Sequence, residues 1–422
     1  MELREQSAKY LVRPTYKRTE VGVIPEDWDV HPLGHLTDAN RPISYGIVQT
    51  GPNVPNGVRC LRVLDVENGR INKSDLITTT REISTAYKRT ILKAGDLVMP
   101  LRGKVGDVGI IDEDLSGSNL TRGVALIAIR SDWSGPFCRQ FIAAPSTRGR
   151  LEQSMNGSAL QEIPIAVLRA FKIALPPTKA EQEAIAEALS DADALIESLD
   201  QLIAKKRDLK QGAMQELLTG KKRLPGFSGE WEVRRLGELA DMGSGGTPPS
   251  SNMAYYDGNI PWVAISDMTQ GGKYIGSTER NLSDEGFTNS AAQMFPAGTV
   301  LYAMYASLGE CSIATVPLSS SQAILGIRAK QKLNGEFLYY FLQSIKPMVK
   351  TMGQQGTQAN LNKRMVQDFN LRLPSHPEQT AIATILSDMD TELTELQSRL
   401  AKARQIKQGM MQELLTGRIR LL

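Results

Sequence analysis

The stretch AEQEAIAEALSDADALIESLDQLIAKKRDLKQGAMQELLTG (180–220) returns near the end of the chain as PEQTAIATILSDMDTELTELQSRLAKARQIKQGMMQELLTG (377–417). From Glu181 and Glu378 onward, about 23 of 40 positions are identical at a shift of 197. Each copy carries an apolar seam. In the first it is Ile185, Leu189, Ala192, Ile196, Leu199 and Ile203; in the second it is Ile382, Leu386, Met389, Leu393, Leu396 and Leu400. The alternating spacing of four and three is a 3.5-residue period, which asks for a helical partner along its whole length. Pro176-Pro177 and Pro374 stand where such helices begin, and Gly220 and Gly417 where they stop. Forty residues at 1.5 Å each make a rod of roughly 60 Å. An isolated helix would expose its seam, so the economical partner is the other copy, running antiparallel.

Outward from the helices, the preceding segments also pair, more weakly. PEDWDVHPLGHL (25–36) answers SGEWEVRRLGEL (228–239): Trp28, Leu33 and Gly34 match Trp231, Leu236 and Gly237 at a shift of 203. At the same shift AGDLV (94–98) answers AGTVL (297–301), and Gly106 answers Gly309. Trp28 and Trp231 read as packing anchors. Between these anchors the two blocks diverge. Both are rich in short β-type runs broken by Gly, Pro and Asn: VRCLRVLDV (58–66), GDLVMPLRG (95–103) and GVALIAIR (123–130), then IPWVAISD (260–267), GTVLYAMYA (298–306) and QAILGIRAK (322–330). Each closes on a helical patch, 137–153 and 336–352. The spacing predicts an α+β chain: two globules, each a twisted mixed sheet with helices, and two long antiparallel coiled-coil-like helices in a pseudo-two-fold repeat. The expected boundaries are an N-terminal tail 1–23, a first globule 24–175, a first long helix 176–224, a second globule 225–373 and a second long helix 374–422.

Composition narrows the class. There are 49 Lys+Arg against 46 Asp+Glu in 422 residues, an ordinary globular balance with a formal charge of +3. No apolar run of about 18 residues exists to span a membrane. The charged start MELREQSAKYLVRPTYKRTE lacks a signal core, and Cys60, Cys138 and Cys311 are odd in number and widely spaced. Both features point to free thiols in a cytoplasmic protein. Enzyme signatures are missing. The GK pairs at 103–104, 220–221 and 272–273 are not followed by Ser or Thr, so there is no phosphate-binding P-loop. GSGGTPP (243–249) runs into prolines, not a helix. His31 and His35 are separated by Pro32 and Gly34 and cannot share a helical metal site; with only His376 left, neither a metal centre nor a His base is expected. No G-x-S-x-G elbow and no Asn/Asp-Pro-Pro-aromatic run of an amino-methyltransferase occurs.

These residues carry a resemblance. TEVGVIPEDWDVHPLGHL, the twice-written IALPPTKAEQEAI and LRLPSHPEQTAI, and the repeated KQGxMQELLTG resemble the specificity subunit of type I restriction–modification enzymes over essentially the whole chain. The resemblance implies a non-catalytic subunit. Each globule would be a target-recognition domain reading one half of a bipartite site in double-stranded DNA. The helices would set the spacer and dock two methyltransferase subunits, with two restriction/translocase subunits joining in the full complex. S-adenosylmethionine, ATP and Mg²⁺ would be used by the partners and none by this chain. The assembled complex would be a site-specific endonuclease and adenine-N6 DNA methyltransferase. The alternatives are the specificity module of a related restriction–methylation system, an enzyme fused in one chain, and a coiled-coil adaptor with no DNA role. An adaptor has no need of two diverged Gly-rich globules at equal positions beside near-identical helices.

DNA contacts should come from Lys, Arg and small polar groups for phosphates, and from Arg, Asn, Gln, Ser, Thr and aromatics for bases. In the first block the candidates are Arg102 and Lys104 around Gly103, Asn119, Thr121 and Arg122, Arg41, Ser44 and Tyr45, and Lys88 and Arg89. The second block balances 12 basic against 12 acidic residues over 225–373, so its candidates are mainly polar and aromatic: Thr247, Asn252, Tyr255, Lys273, Tyr305, Ser307 and Gln322. Alignment of YASLGE (305–310) with RGKVGD (102–107), and approximate alignment of SSSQAI (319–324) with SNLTRG (118–123), favours Tyr305, Ser307 and Gln322.

Overall fold

A computed structural model describes residues 15–155, 161–354 and 360–421; the first fourteen residues of the expected tail lie outside them. The chain separates into two compact units, Met1–Leu199 with Arg399–Leu422, and Asp200–Ser398. Each unit therefore combines one globule with the head of one long helix and the tail of the other. The long helices run Lys179–Leu217 and His376–Leu414.

In the first unit, strand Asp29–Pro32 pairs antiparallel with Lys172–Leu175, closing the globule and delivering the chain to the first long helix. A four-stranded antiparallel sheet is ordered Gly109–Ile110, Leu97–Pro100, Val124–Ile127, Ser44–Tyr45. Its central strands are buried on both faces. Leu97, Met99, Ala125 and Ile127 point into the core shared with Trp28, Phe137 and Ile185. Val98, Val124 and Leu126 point into a second core with Leu61, Leu115 and Leu120. Covering both faces explains why these strands read as continuous apolar runs instead of alternating ones. A three-stranded sheet, Asn119–Leu120, Val58–Leu61, Ile77–Thr79, mixes parallel and antiparallel pairs. The helical patch expected over 137–153 is two helices, Gly135–Ala143 and Pro145–Gln153, because Pro145 has no N–H to continue the first.

The second unit repeats the plan. Strand Glu232–Arg235 pairs with Asn370–Leu373. A five-stranded sheet is ordered Ala240–Ser244, Ile324–Ala329, Val300–Ala303, Cys311–Ala314, Tyr274–Ile275. Val300, Tyr302, Leu325 and Ile327 face a core that includes Phe337, Tyr340 and Ile382, while Leu301, Ala303 and Ile324 face Val263 and Phe295. Here the closing patch is a single helix, Gly335–Gln354, which runs through Pro347.

Within each unit the two helix segments run antiparallel. In the first, Asp193 meets Lys407 at 2.6 Å. In the second, Lys206 meets Glu392 at 2.6 Å, and Lys210 pairs with Asp390. Of the seam residues, Ile185, Leu189, Leu199, Ile203, Ile382, Leu386, Leu393, Leu396 and Leu400 are buried and Ile196 is half-buried. The repeated Glu-Gln at the head of each helix has a structural purpose. Gln182 donates to the Pro176 carbonyl (3.1 Å) and accepts from the Ser134 N–H (3.0 Å), which caps the helix at Gly135. Gln379 donates to Pro374 (2.9 Å) and accepts from Asn334 (2.8 Å) in the same way. The buried Glu181 and Glu378 carboxylates are each clamped by an arginine just beyond the tail of the other long helix, Arg420 and Arg223. Arg420 also holds Asp27 at 2.8 and 2.9 Å, whereas Glu378 also accepts the Trp231 indole N–H at 3.2 Å. Trp28 is fully buried in the core of the first unit, and Trp231 packs half-buried against the core of the second.

Candidate nucleic-acid interface

In each globule three loops are tied together by backbone hydrogen bonds at corresponding positions. In the first, Leu101 donates to the Gly123 carbonyl (2.8 Å), Ile47 donates to Leu120 (2.7 Å) and Arg122 donates to Ile47 (2.8 Å). In the second, Met304 donates to Ala323 (2.9 Å) and Gly246 donates to Ser320 (2.8 Å). The loops beginning at Gly46 and Gly245 approach so closely that a Cβ would fall 2.1 Å from the Leu120 carbonyl oxygen or 2.2 Å from the Ser320 carbonyl oxygen. Glycine is required there for packing, not for its φ.

The turn after the central strand has one frame in both units. Lys104 N–H donates to the Arg102 carbonyl and Asp107 N–H to Lys104, at 2.7 and 3.1 Å; Glu310 N–H donates to Ser307 at 3.0 Å. Gly103 sits at φ +70° and Ala306 at φ +45°, both in the left-handed region. For alanine that conformation costs of order 1 kcal/mol, and such strain collects at functional sites. The far end is anchored by an ion pair to a neighbouring helix, Asp107 with Arg148 and Glu310 with Lys346. A rigid frame thus holds up Arg102 and Lys104 in one unit, Tyr305 and Ser307 in the other.

Tyr305 and Ser307 are exposed, and exposed Thr247 and Gln322 are hydrogen-bonded to each other. In the first unit Arg122 is exposed and Arg102 half-buried; neither has an ion pair among the described residues. Lys104 is paired with the exposed Glu67 at 2.9 Å, a contact that solvent and salt readily release. Thr121 is half-buried and donates to the Leu61 carbonyl at 3.1 Å. The turn Lys88–Thr90 lies against strand Ser44–Tyr45. It leaves Lys88, Arg89 and Tyr45 exposed, while Ser44 donates to Pro42 at 2.9 Å.

Five sequence candidates are engaged by the fold itself. Asn119 is fully buried, accepting from Thr90 (2.8 Å) and donating to Ser84 (3.1 Å). Arg41 makes a bidentate pair with Asp96 at 2.6 and 2.9 Å and donates to Ile91, with its side chain 14% exposed. Lys273 is 11% exposed, bonded to Tyr340 and Ser387, paired with Glu336 and ringed by Tyr274, Tyr339 and Tyr340. Asn252 caps the turn Met253–Tyr255 by accepting from Ala254, and Tyr255 packs half-buried beside Tyr256, Trp262 and Leu282. Residue type alone does not separate a buried cap or ion pair from a free donor. The anchoring residues Asp107, Glu310, Arg148 and Lys346 were missed; the alignment of Asp107 with Glu310 was the available signal.

No cluster of three or more His, Cys, Asp or Glu suited to a metal occurs among the described residues. Burial pushes the Cys60 and Cys138 thiols up to about 12 and raises Cys311 as well, so all three are protonated at neutral pH and poor nucleophiles. No helix among the described residues is long and apolar enough to cross a membrane.

The model of the type I restriction modification DNA specificity domain matches the chain twice, over residues 25–205 and 228–405. The chain is 26% identical to a putative type I restriction enzyme MjaX specificity subunit of Methanocaldococcus jannaschii, over 96% of this chain and 97% of that protein. It is 26% identical to the EcoBI specificity subunit of Escherichia coli over 47% of this chain and 42% of that protein. Among solved structures, the S subunit of a type I restriction–modification system from M. genitalium superposes with a TM-score of 0.60 at 18% identity, covering 92% of this chain and 96% of that one.

Proposed function

The chain belongs to the type I restriction–modification DNA specificity family, and on that premise we propose that it is the sequence-reading, non-catalytic subunit of such a complex. Each globule reads one half of a bipartite site in duplex DNA. The long helices fix the separation and rotational phase of the halves and dock two methyltransferase subunits, to which two restriction/translocase subunits are added. Those partners, not this chain, use S-adenosylmethionine, ATP and Mg²⁺. The assembled complex cleaves DNA and methylates adenine at N6, in the cytoplasm.

One observation carries the reading: two turns with the same backbone frame and anchoring ion pair present different side chains, Arg102/Lys104 and Tyr305/Ser307, beside near-identical helices. Packing alone gives no reason to keep the frame and change what it displays. Arg suits phosphate or guanine, and Gln or Ser suits base edges, so the two globules would prefer different half-sites. Half-sites one helical turn apart, about 34–36 Å, face one side of B-DNA, and a rod of roughly 60 Å can bridge them.

The test replaces residues 228–373 with the corresponding block of another family member and maps methylation by the complex with its methyltransferase partner. One half-site should change and the other stay. A change in both overturns the modular reading, and no preference of the parent complex for any bipartite sequence overturns sequence recognition itself.

A further inference from the structure

Asp193 and Asp390 occupy the same place in the two copies of the long helix, 197 residues apart. Each is a junction of three elements. Asp193 accepts from Lys407 of the other long helix (2.6 Å) and from Gln140 of the globule's helix Gly135–Ala143 (2.9 Å), with Arg139 of the same helix at 3.4 Å. Arg139 continues into the globule, donating to the Val108 and Gly69 carbonyls at 3.3 and 3.4 Å. Asp390 accepts from Lys210 of the other long helix and from Tyr340 of the helix Gly335–Gln354 (2.7 Å). The Tyr340 hydroxyl in turn receives Lys273 (3.0 Å), which also reaches Ser387 and Glu336.

The cross-linking is reciprocal. Lys210 and Lys407 are themselves equivalent at the shift of 197, so each copy supplies the carboxylate of one junction and the ammonium of the other. Gln140 and Tyr340 also correspond, following the aligned Phe137 and Phe337 by three residues. The two junctions keep the Asp–Lys pair between helices and vary only the link to the globule. Phe137 with Ile185, and Phe337 with Ile382, belong to continuous cores that hold each globule against the helices. A carboxylate shared by three elements adds directional bonds that restrict the angle further. Burial alone would raise the pKa of Asp193, but hydrogen bonds from Lys407 and Gln140 outweigh it and hold the value below the ordinary carboxylate range, so the junction is charged at neutral pH.

We propose that Asp193 and Asp390 are positioning residues that set the angle at which each globule is held on its own stretch of the helices, and thereby the sharpness of the spacer between half-sites. This rests on the reading of the chain as a DNA specificity subunit. Loosening a junction lets one globule swing, which relaxes spacing while leaving the bases read by the loops untouched.

The experiment uses the complex of the full chain with its methyltransferase partner and a duplex library in which the two half-sites found for the parent are separated by every spacer over several base pairs. Tyr340→Phe and Gln140→Met each remove the shortest hydrogen bond from the globule to the aspartate while retaining side-chain bulk, leaving Arg139 near Asp193 and Lys273 on Ser387, and Asp390→Asn weakens the whole node. The expected result is an unchanged pair of half-sites, with the methylation ratio between the best spacer and its neighbours falling about fivefold. Thermal unfolding near the parental midpoint for Tyr340→Phe separates this from general destabilisation. A spacer profile as sharp as the parent's overturns the proposal and leaves sequence recognition standing, and so does a changed half-site. A parent complex with no bipartite preference overturns both readings together.

Discussion

The turn Arg102–Asp107 displays two cations on either side of a glycine, while Tyr305–Glu310 displays a phenol ring and a hydroxyl on either side of an alanine. Beside them the bonds Leu101–Gly123 and Met304–Ala323 set the register one residue away from the sequence alignment, so that Arg122 in the first globule corresponds to Gln322 in the second. The frames share the closing Asp107–Lys104 and Glu310–Ser307 backbone bond, the left-handed residue and the anchoring ion pair, yet one tip is charged and the other neutral. The difference teaches where constraint lies: in the backbone geometry and the anchoring ion pair, not in the displayed side chains. A similar contrast runs through the clamps. Among the described residues the Glu181 carboxylate is held by Arg420, but Glu378 has both Arg223 and the Trp231 indole.

The largest expected effect tests that second contrast. Arg420→Ala strands a buried Glu181 and should destabilise the first unit by roughly 3–5 kcal/mol. Arg223→Ala leaves Glu378 one donor and should cost only about 2 kcal/mol. Denaturant unfolding of the two variants measures both, and equal losses would erase the asymmetry. Next, Gly417 and Gly220 both end a long helix at positive φ, +69° and +71°. A Cβ on Gly417 would meet Pro25 at 2.4 Å, whereas on Gly220 it meets Trp231 at 3.3 Å. Gly417→Ala should therefore cost about 2–3 kcal/mol and Gly220→Ala about 1 kcal/mol, read as unequal drops in thermal midpoint. Third, the charge contrast predicts binding behaviour. Arg122→Ala should flatten the salt dependence of DNA affinity by about one unit of slope, and Gln322→Ala should weaken affinity with the slope unchanged. Titrations of the complex at several salt concentrations distinguish them; identical slopes for both variants would mean the first tip does not use its charge on phosphates. The smallest effect is Ala306→Gly, which relieves the left-handed strain and should stabilise the second unit by about 0.5 kcal/mol, while Gly103→Ala in the first should do the reverse.

Much of this was legible in the sequence because it is written twice. The seam period identified the long helices, Gly220 and Gly417 marked their ends, and the alignment of 102–107 with 305–310 located the turn that both units share. What stayed hidden depends on partners far apart in sequence. Nothing near Asn119 says that Thr90 and Ser84 enclose it, and nothing near Lys273 announces three tyrosine rings from two elements. Pro145 and Pro347 look alike in the sequence. One separates two helices and the other is accommodated within one, a difference set by the packing around each.

The left-handed turn has a consequence for inheritance. Its shape is fixed by one backbone position that accepts glycine or alanine and by an acid–base pair that accepts Asp–Arg or Glu–Lys. Tyr305 and Ser307 at the second tip are exposed, so substitutions there remove little packing. On the proposed reading, a lineage carrying this scaffold can alter what it reads by drift at a handful of exposed codons, without first passing through an unfolded ancestor.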